Sequence, residues 1–273
     1  MAKRIVFIGA GPGGYIGDIR AAKMGADVTV VEKDAVGGTC LNRGCIPTKA
    51  LLACSDVLTA IGEAKNFGIS IDGSITPDIT AMMDRKDKVV ERLVKGIEVL
   101  FQKNNVKYLQ GIGKISKENE VTVAKIDGTT EILEADAIVI ATGSSPAQIP
   151  IFPYDGKRVL TSDEALNLRE IPKSMIIVGA GVIGCEFGMF FNTLGTSVTI
   201  IEMMSHALPL EDAQMGLEMG KVMKRKKIKL MTGTKIEKAE ITEDGVKAVL
   251  DGGKEVEAEM MLVAIGRKAN LDN

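Results

Sequence analysis

Cys40 and Cys45 are the residues whose type and spacing most directly offer chemistry. They lie in the run Gly37-Gly38-Thr39-Cys40-Leu41-Asn42-Arg43-Gly44-Cys45-Ile46-Pro47-Thr48-Lys49. Two thiols this close can open and close as a disulfide without displacing the rest of a fold. A cofactor held by the preceding glycines could hand them electrons. Zinc binding by the pair would need two more ligands at suitable spacing, and the chain does not supply them, so no metal is expected. Cys54 and Cys185, the other cysteines, have no thiol neighbour in sequence and read as small buried hydrophobes. The single histidine, His206, reads as a surface residue.

Glycines able to hold a cofactor occur twice. Residues 4–32 read as strand, Gly-rich turn, helix, strand and acidic end, and residues 175–202 read the same way. The first turn is Gly9-Ala10-Gly11-Pro12-Gly13-Gly14. The second is Gly179-Ala180-Gly181-Val182-Ile183-Gly184, and Glu32 and Glu202 stand at the same offset from the first glycine of each. One G-x-G-x-x-G alone is a weak signal. Here each copy follows an apolar strand and precedes a helical pattern and a second strand, the context of a dinucleotide fingerprint. The first glycine allows the tight turn, the second lets a pyrophosphate approach the backbone, and the third lets helix and sheet pack closely. The helix N-terminus then offers free N–H groups to the phosphates. Each glutamate would accept hydrogen bonds from ribose hydroxyls. At the second site a 2′-phosphate would be repelled by Glu202, and the next residues, Met203, Met204 and Ser205, bring no cation. That site is expected to prefer NAD over NADP.

Around these units the periodicities predict a helix over 48–66 and a long amphipathic helix over 79–103. The apolar stripe of the second is Ile79, Met82, Met83, Val89, Val90, Leu93, Ile97 and Leu100, with the methionines as core filler. Strands are predicted at 106–109, 120–125, 130–134, 137–140, 247–250 and 260–265, with a turn at Gly128. Pro146, Pro150, Pro153 and Gly156 suggest a linker, which divides the chain into domains 1–147 and 148–273.

The 273 residues are 45% apolar, enough to bury a sizeable core. A net charge of −2 argues against nucleic acid or an anionic membrane as partner. The basic run Lys224-Arg225-Lys226-Lys227 reads as a solvated helix end. No stretch reads as a signal peptide, and none approaches the roughly 20 apolar residues of a membrane span. The expected location is the cytoplasm, where a close cysteine pair is catalytic more often than structural.

With both fingerprints and the cysteine run in hand, the chain resembles the dihydrolipoamide dehydrogenases of the class I flavin disulfide oxidoreductase family along its whole length. The carrying residues are the first turn with Glu32-Lys33, the 40–49 run, Ala141-Thr142-Gly143, the second turn with Glu186, Glu202, and Ala264-Ile265-Gly266-Arg267. Thr48-Lys49 after Pro47 is more similar to lipoamide enzymes than to glutathione reductases; mercuric reductases and soluble transhydrogenases are close relatives. The resemblance implies an α/β fold of two Rossmann-like domains with parallel sheets. It implies FAD in the first, at Gly9, Gly11, Gly14, Glu32, Lys33, Gly38, Thr39, Gly113, Ala141, Thr142 and Gly143. It implies NAD in the second, at Gly179, Gly181, Ile183, Gly184, Glu202, Ala264, Gly266 and Arg267. Cys45 would lie against the flavin as a thiolate, its pKa lowered by a nearby cation and a helix N-terminus. Cys40 would exchange with a dithiol, a dihydrolipoyl group on a carrier protein. Lys49 would sit near the flavin ring, paired with Glu186.

The family's chains are longer. They return to complete the FAD site and add a dimerisation domain whose His–Glu pair serves as acid–base partner. This sequence reaches its end at Asn270-Leu271-Asp272-Asn273, so that domain and the pair are expected to be absent. Apolar surface left open would favour self-association or a companion chain. The competing reading is a truncated, non-catalytic dinucleotide-binding remnant or partner subunit. A reading as a two-domain reductase like thioredoxin reductase is set aside, because the paired cysteines fall in the first domain. One more departure is Gly17-Asp18 on the first helix, where relatives carry small apolar residues. An acid there is tolerable if it faces solvent.

Overall fold

Short apolar runs closed by glycine turns build the sheets. A computed structural model describes residues 2–271. The chain opens with strand β1 (Arg4–Ile8), helix α1 (Pro12–Lys23) and strand β2 (Asp27–Glu32). Helices α2 (Gly38–Arg43), α3 (Cys45–Glu63) and α4 (Ile79–Lys103) follow, then strands β3 (Lys107–Lys117), β4 (Glu120–Lys125), β5 (Thr130–Glu134), β6 (Ala137–Ile140) and β7 (Ser144–Pro146). The sheet order is β5-β4-β3-β2-β1-β6, parallel from β3 through β6 and antiparallel across β3, β4 and β5.

Next come β8 (Val159–Leu160), α5 (Ser162–Ala165), β9 (Ser174–Val178), α6 (Val182–Thr193), β10 (Ser197–Ile201), α7 (Ala213–Arg225) and β11 (Lys229–Met231). Strands β12 (Ile236–Ile241), β13 (Val246–Leu250), β14 (Glu255–Ala258), β15 (Met260–Val263) and β16 (Arg267–Ala269) complete it. The second sheet, β11-β10-β9-β15-β8, is parallel throughout, and β12-β13-β14 form a separate antiparallel layer. The fold is α/β with two parallel-strand sheets.

The central strands are apolar on both faces because both faces are covered. In the first sheet Phe7, Val28 and Val30 pack with Ile97 and Phe101 of α4, while Val6, Ile8 and Val31 pack with Val121 and Val123 of β4. In the second, Ile177 and Ile200 meet Phe187, Phe190 and Phe191 of α6, while Ile176, Val178 and Ile201 meet β12 and β13. The two central pairs keep the same register: Ile8 lies opposite Val31, and Val178 opposite Ile201.

The compact units are not consecutive in sequence. One comprises Met1–Pro47, Asp87–Ser145 and Lys268–Asn273; the other comprises Thr48–Lys86 and Pro146–Arg267. A single division at residue 147 misses this exchange. Leu51 of α3 and Ile79 and Met83 of α4 bury themselves in the core around Phe187, which draws 48–86 into the second unit.

Four other expectations are corrected. The core face of the later part of α4 runs through Val90, Val94, Ile97 and Phe101, leaving Leu93 and Leu100 exposed. Asp18 is fully buried instead of facing solvent. His206 is half-buried, with Nδ1 2.9 Å from the Ala207 carbonyl oxygen. The helical run Gly38–Phe67 does reach the length and apolarity of a membrane span, although Leu51, Leu52 and Leu58 on it pack in the second unit's core.

Candidate functional site

In the first unit the turn between β1 and α1 brings backbone against backbone. Gly9 has φ +111°, and a Cβ on it would collide with the Ala141 carbonyl oxygen. A Cβ on Gly14 would collide in turn with the Gly9 carbonyl oxygen. Gly11 caps α1 and Pro12 begins it, where a missing N–H costs nothing. Glu32, at the end of β2, is buried, and its carboxylate is held at both oxygens. Oε2 accepts from the Ala10 amide at 2.8 Å and Oε1 from the Asp34 amide at 2.9 Å. Lys33 beside it is exposed.

Gly38 packs on Gly11 so tightly that a Cβ at Gly38 would overlap the Gly11 Cα. The Gly37 amide donates to the Ala10 carbonyl at 2.9 Å, and the Thr39 hydroxyl donates to the Ser144 carbonyl at 3.3 Å. At the end of β6 the Ala141 amide donates to Ile8 at 2.9 Å. Asn270 ties the loop that follows: its amide donates to the Gly143 carbonyl at 3.0 Å, and its side chain donates to the Thr142 carbonyl at 3.1 Å. The Thr142 hydroxyl donates back to the Asn270 carbonyl at 2.6 Å. Gly113 lies over Val31 and Ile8, where a Cβ would come within 3.2 and 3.3 Å of their side chains.

The cysteine pair sits in the same unit. Cys40 is half-buried on α2, and Cys45 is exposed as the first residue of α3. Gly44 makes the bend between the helices. A Cβ there would lie 2.9 Å from the Thr39 carbonyl oxygen and 3.0 Å from the Cys40 Cα. The residue before the second cysteine is thus pressed on the backbone of the first. Asn42 steadies the bend by donating to the Val36 and Gly38 carbonyls at 3.0 and 2.9 Å. Pro47 falls in the first turn of α3, where its missing N–H breaks no bond.

The second unit repeats this construction. Gly179 has φ +98°, and a Cβ on Gly184 would collide with the Gly179 carbonyl oxygen. Gly181 caps α6. Glu202 is buried, with Oε2 accepting from the Ala180 amide at 2.7 Å and Oε1 from the Met204 amide at 2.8 Å. The Leu208 amide takes the Ala180 carbonyl, as Gly37 takes that of Ala10, and the Ala264 amide takes Val178, as Ala141 takes Ile8. Beside these groups lies a largely apolar cavity of about 520 Å³. It is lined by Gly179, Gly181, Ile183, Glu202, Ala264 and Gly266 of the expected set; Gly184 and Arg267 stand outside it.

Sequence reading missed several groups here. Thr234 and Lys235 line the cavity, and Gly233 and Thr234 donate to the Met204 and Glu202 carbonyls at 2.8 and 3.0 Å. Extending the strand pairing makes Gly233 the counterpart of Gly111, a signal present in the repeat but masked by the divergent residues around it. Nothing local marks Asn270 as the partner of Thr142.

Lys49, one turn along α3 from Cys45, belongs to the second unit. Its ammonium donates to Glu186 Oε1 on α6 at 2.7 Å. The Lys49 side chain is 55% exposed and that of Glu186 17%. Such a pair adds little stability, and its effect is to orient the lysine. Cys185, the neighbour of Glu186, is buried; its thiol is pushed up to about 12 by burial and by the charges of Glu202 and Glu186. It remains protonated at neutral pH and is no nucleophile. Cys54 is half-buried instead of fully so, its thiol donating to the Ala50 carbonyl.

A family model described as pyridine nucleotide-disulphide oxidoreductase matches residues 3–273. Dihydrolipoyl dehydrogenase 1, mitochondrial, of Arabidopsis thaliana is 41% identical, over 96% of this chain and 53% of that protein. Dihydrolipoyl dehydrogenase of Acholeplasma laidlawii is 41% identical, over 97% of this chain and 79% of that one. Among solved structures, LpdA from Mycobacterium tuberculosis superposes with a TM-score of 0.91 at 27% identity, over 99% of this chain and 60% of its own. The chain spans about half the length of the plant relative.

Proposed function

This chain belongs to the pyridine nucleotide-disulphide oxidoreductase family, and from that premise we propose that it is an NAD-linked flavoprotein disulfide oxidoreductase acting on a dithiol. The first unit takes FAD and the second NAD. The residues fit both groups. Gly9, Gly14 and Gly38 let neighbouring backbone close in without side chains around Gly11, which caps the N-terminus of α1, the helix end a pyrophosphate requires. Glu32 keeps lone pairs for ribose hydroxyls, and Lys33, Thr39, Gly113, Ala141, Thr142 and Gly143 are the further groups assigned to FAD. In the second unit the cavity beside Gly179, Gly181, Ile183 and Gly184 suits a dinucleotide, with Glu202 for its ribose and Ala264 and Gly266 in its lining; Arg267, next to Gly266 in the chain, is the further group assigned to NAD. Bound there, the flavin and the nicotinamide supply the hydride and electron transfer that side chains cannot.

The chain's own chemistry is thiol–disulfide exchange. A thiolate of the substrate attacks Cys40 Sγ of a Cys40–Cys45 disulfide, and Cys45 leaves as a thiolate. The second substrate thiolate then breaks the mixed bond, forming the substrate disulfide and releasing Cys40. Lys49, oriented by Glu186, supplies the cation that offsets the negative charge brought by reduction. Relatives named dihydrolipoyl dehydrogenase suggest the substrate, a dihydrolipoyl group on a carrier protein. The setting is a reducing, aqueous compartment such as the cytoplasm.

One observation carries this reading. Within a single compact unit, Gly38 packs on the fingerprint at Gly11, and Gly44, six residues on, packs on Cys40. The test is the visible spectrum of the purified chain incubated with FAD and freed of excess. A retained flavin band, bleached by dihydrolipoamide in the native protein but not in Cys40→Ser, is the expected result. Protein that retains no FAD while still binding NADH would establish instead a dinucleotide-binding module without this activity.

A further inference from the structure

Glu202 cannot turn away from a ligand. Both its oxygens are held by backbone amides, and the residue is buried. A cofactor bearing a 2′-phosphate would therefore meet a fixed negative charge, and the residues after Glu202 bring no cation. A cation does line the cavity, from a different strand. Lys235 precedes β12, and hydrogen bonds from Gly233 and Thr234 to the Met204 and Glu202 carbonyls hold its segment alongside the end of β10.

Two features make Lys235 suited to a phosphate. Its backbone is clamped, the amide donating to Asp251 Oδ1 at 3.1 Å and the carbonyl accepting from the Asp251 amide at 2.9 Å. Its side chain has no carboxylate partner among the described residues, and it is the only lysine or arginine among the described residues that line the cavity. The first unit has no such cation: the strand pairing puts Gly113, which carries no side chain, at the corresponding place. The cation belongs to the second cavity alone.

We propose that Lys235 is a specificity-determining residue of the second dinucleotide site, its ammonium pairing with a 2′-phosphate so that the site admits NADPH as well as NADH. Glu202 still favours the free ribose diol, and Lys235 narrows the gap. This rests on the reading of the second unit as a nicotinamide dinucleotide site.

The test is calorimetric titration of the whole chain with NADH and with NADPH, for the native protein, Lys235→Gln and Lys235→Arg. The ratio of NADPH to NADH affinity should fall roughly tenfold in Lys235→Gln, as expected for losing one charge-assisted phosphate contact, and return in Lys235→Arg. Raising the salt concentration should erase the difference in that ratio between the native protein and Lys235→Gln, because screening weakens the Lys235 attraction that only the native protein has. A ratio unchanged by Lys235→Gln, whether both affinities fall together or neither moves, overturns the role of Lys235. Native protein that binds neither nucleotide overturns the nicotinamide site itself, and this inference with it, a different result from an unchanged ratio.

Discussion

Asp18 occupies in the first unit the place that Gly188 occupies in the second, one turn beyond the last glycine of each fingerprint. At Gly188 even a Cβ would lie 2.8 Å from the Ile200 side chain. At Asp18 a whole carboxyl group is buried on the corresponding face of α1, and neither oxygen makes a hydrogen bond of normal geometry. Burial pushes the group up to about 7, with the Ile19 backbone amide pulling slightly the other way.

That burial makes stability depend on pH. The carboxyl ionises in the unfolded chain near 3.8 and in the fold only near 7. Below about 4 both states hold the proton and ionisation adds no penalty. Between about 4 and 7 the penalty grows to the order of 4 kcal/mol, and above 7 it is constant. Asp18→Ala is expected to raise the melting temperature at pH 8 and to lose much of that advantage at pH 4. Thermal melts at the two values check this, and an equal gain at both would contradict a buried ionisable group.

Gly44 governs the approach of the two cysteines. Gly44→Val places branched atoms against the Thr39 carbonyl and the Cys40 Cα, an overpacking that costs about 1–3 kcal/mol or is relieved by moving Cys45 away. The expected outcome is a large fall in the fraction of protein that closes the disulfide under mild oxidant. Counting free thiols before and after oxidation measures it.

Glu186→Gln separates orientation from stability. The pair is too exposed on the lysine side to hold the fold, so the melting temperature should correspond to a change of under about 1 kcal/mol. Flavin reduction by dihydrolipoamide should slow roughly tenfold, because Lys49 loses its fixed position. Stopped-flow absorbance reads the rate. Slowing with an equally large loss of stability would assign Glu186 a structural role instead.

Glu202→Ala removes the acceptor for two backbone amides as well as the ribose partner. Leaving the Ala180 and Met204 amides unsatisfied should cost about 1–3 kcal/mol of stability. NADH affinity should fall more than NADPH affinity, since only the phosphate gains from losing the carboxylate. Equal loss for both would argue against ribose recognition at this residue.

Local pattern carried much of this structure. The alternation in 120–125 marks β4, the short apolar run 137–140 marks β6, and the period of 79–103 marks α4, because each segment's own side chains favour that backbone. Both fingerprints and their glutamates were legible for the same reason. What failed depends on distant partners. β12, Ile-Glu-Lys-Ala-Glu-Ile, shows little apolar alternation and becomes a strand through pairing with β13. Asn270 reaches Thr142, and Lys235 reaches the Glu202 cavity, through chain paths that no local spacing records. Asp18 is tolerable only if it faces solvent, and its neighbours in space, which sequence spacing does not record, bury it instead.

Glu32 and Glu202 were fixed in place by main-chain donors during folding, before any nucleotide arrives. The rotamer freedom that a glutamate normally surrenders on ligand capture is already gone. Each groove therefore greets a ribose with an acceptor that has nothing left to order, and capture there should be governed by fit and desolvation instead of by side-chain entropy.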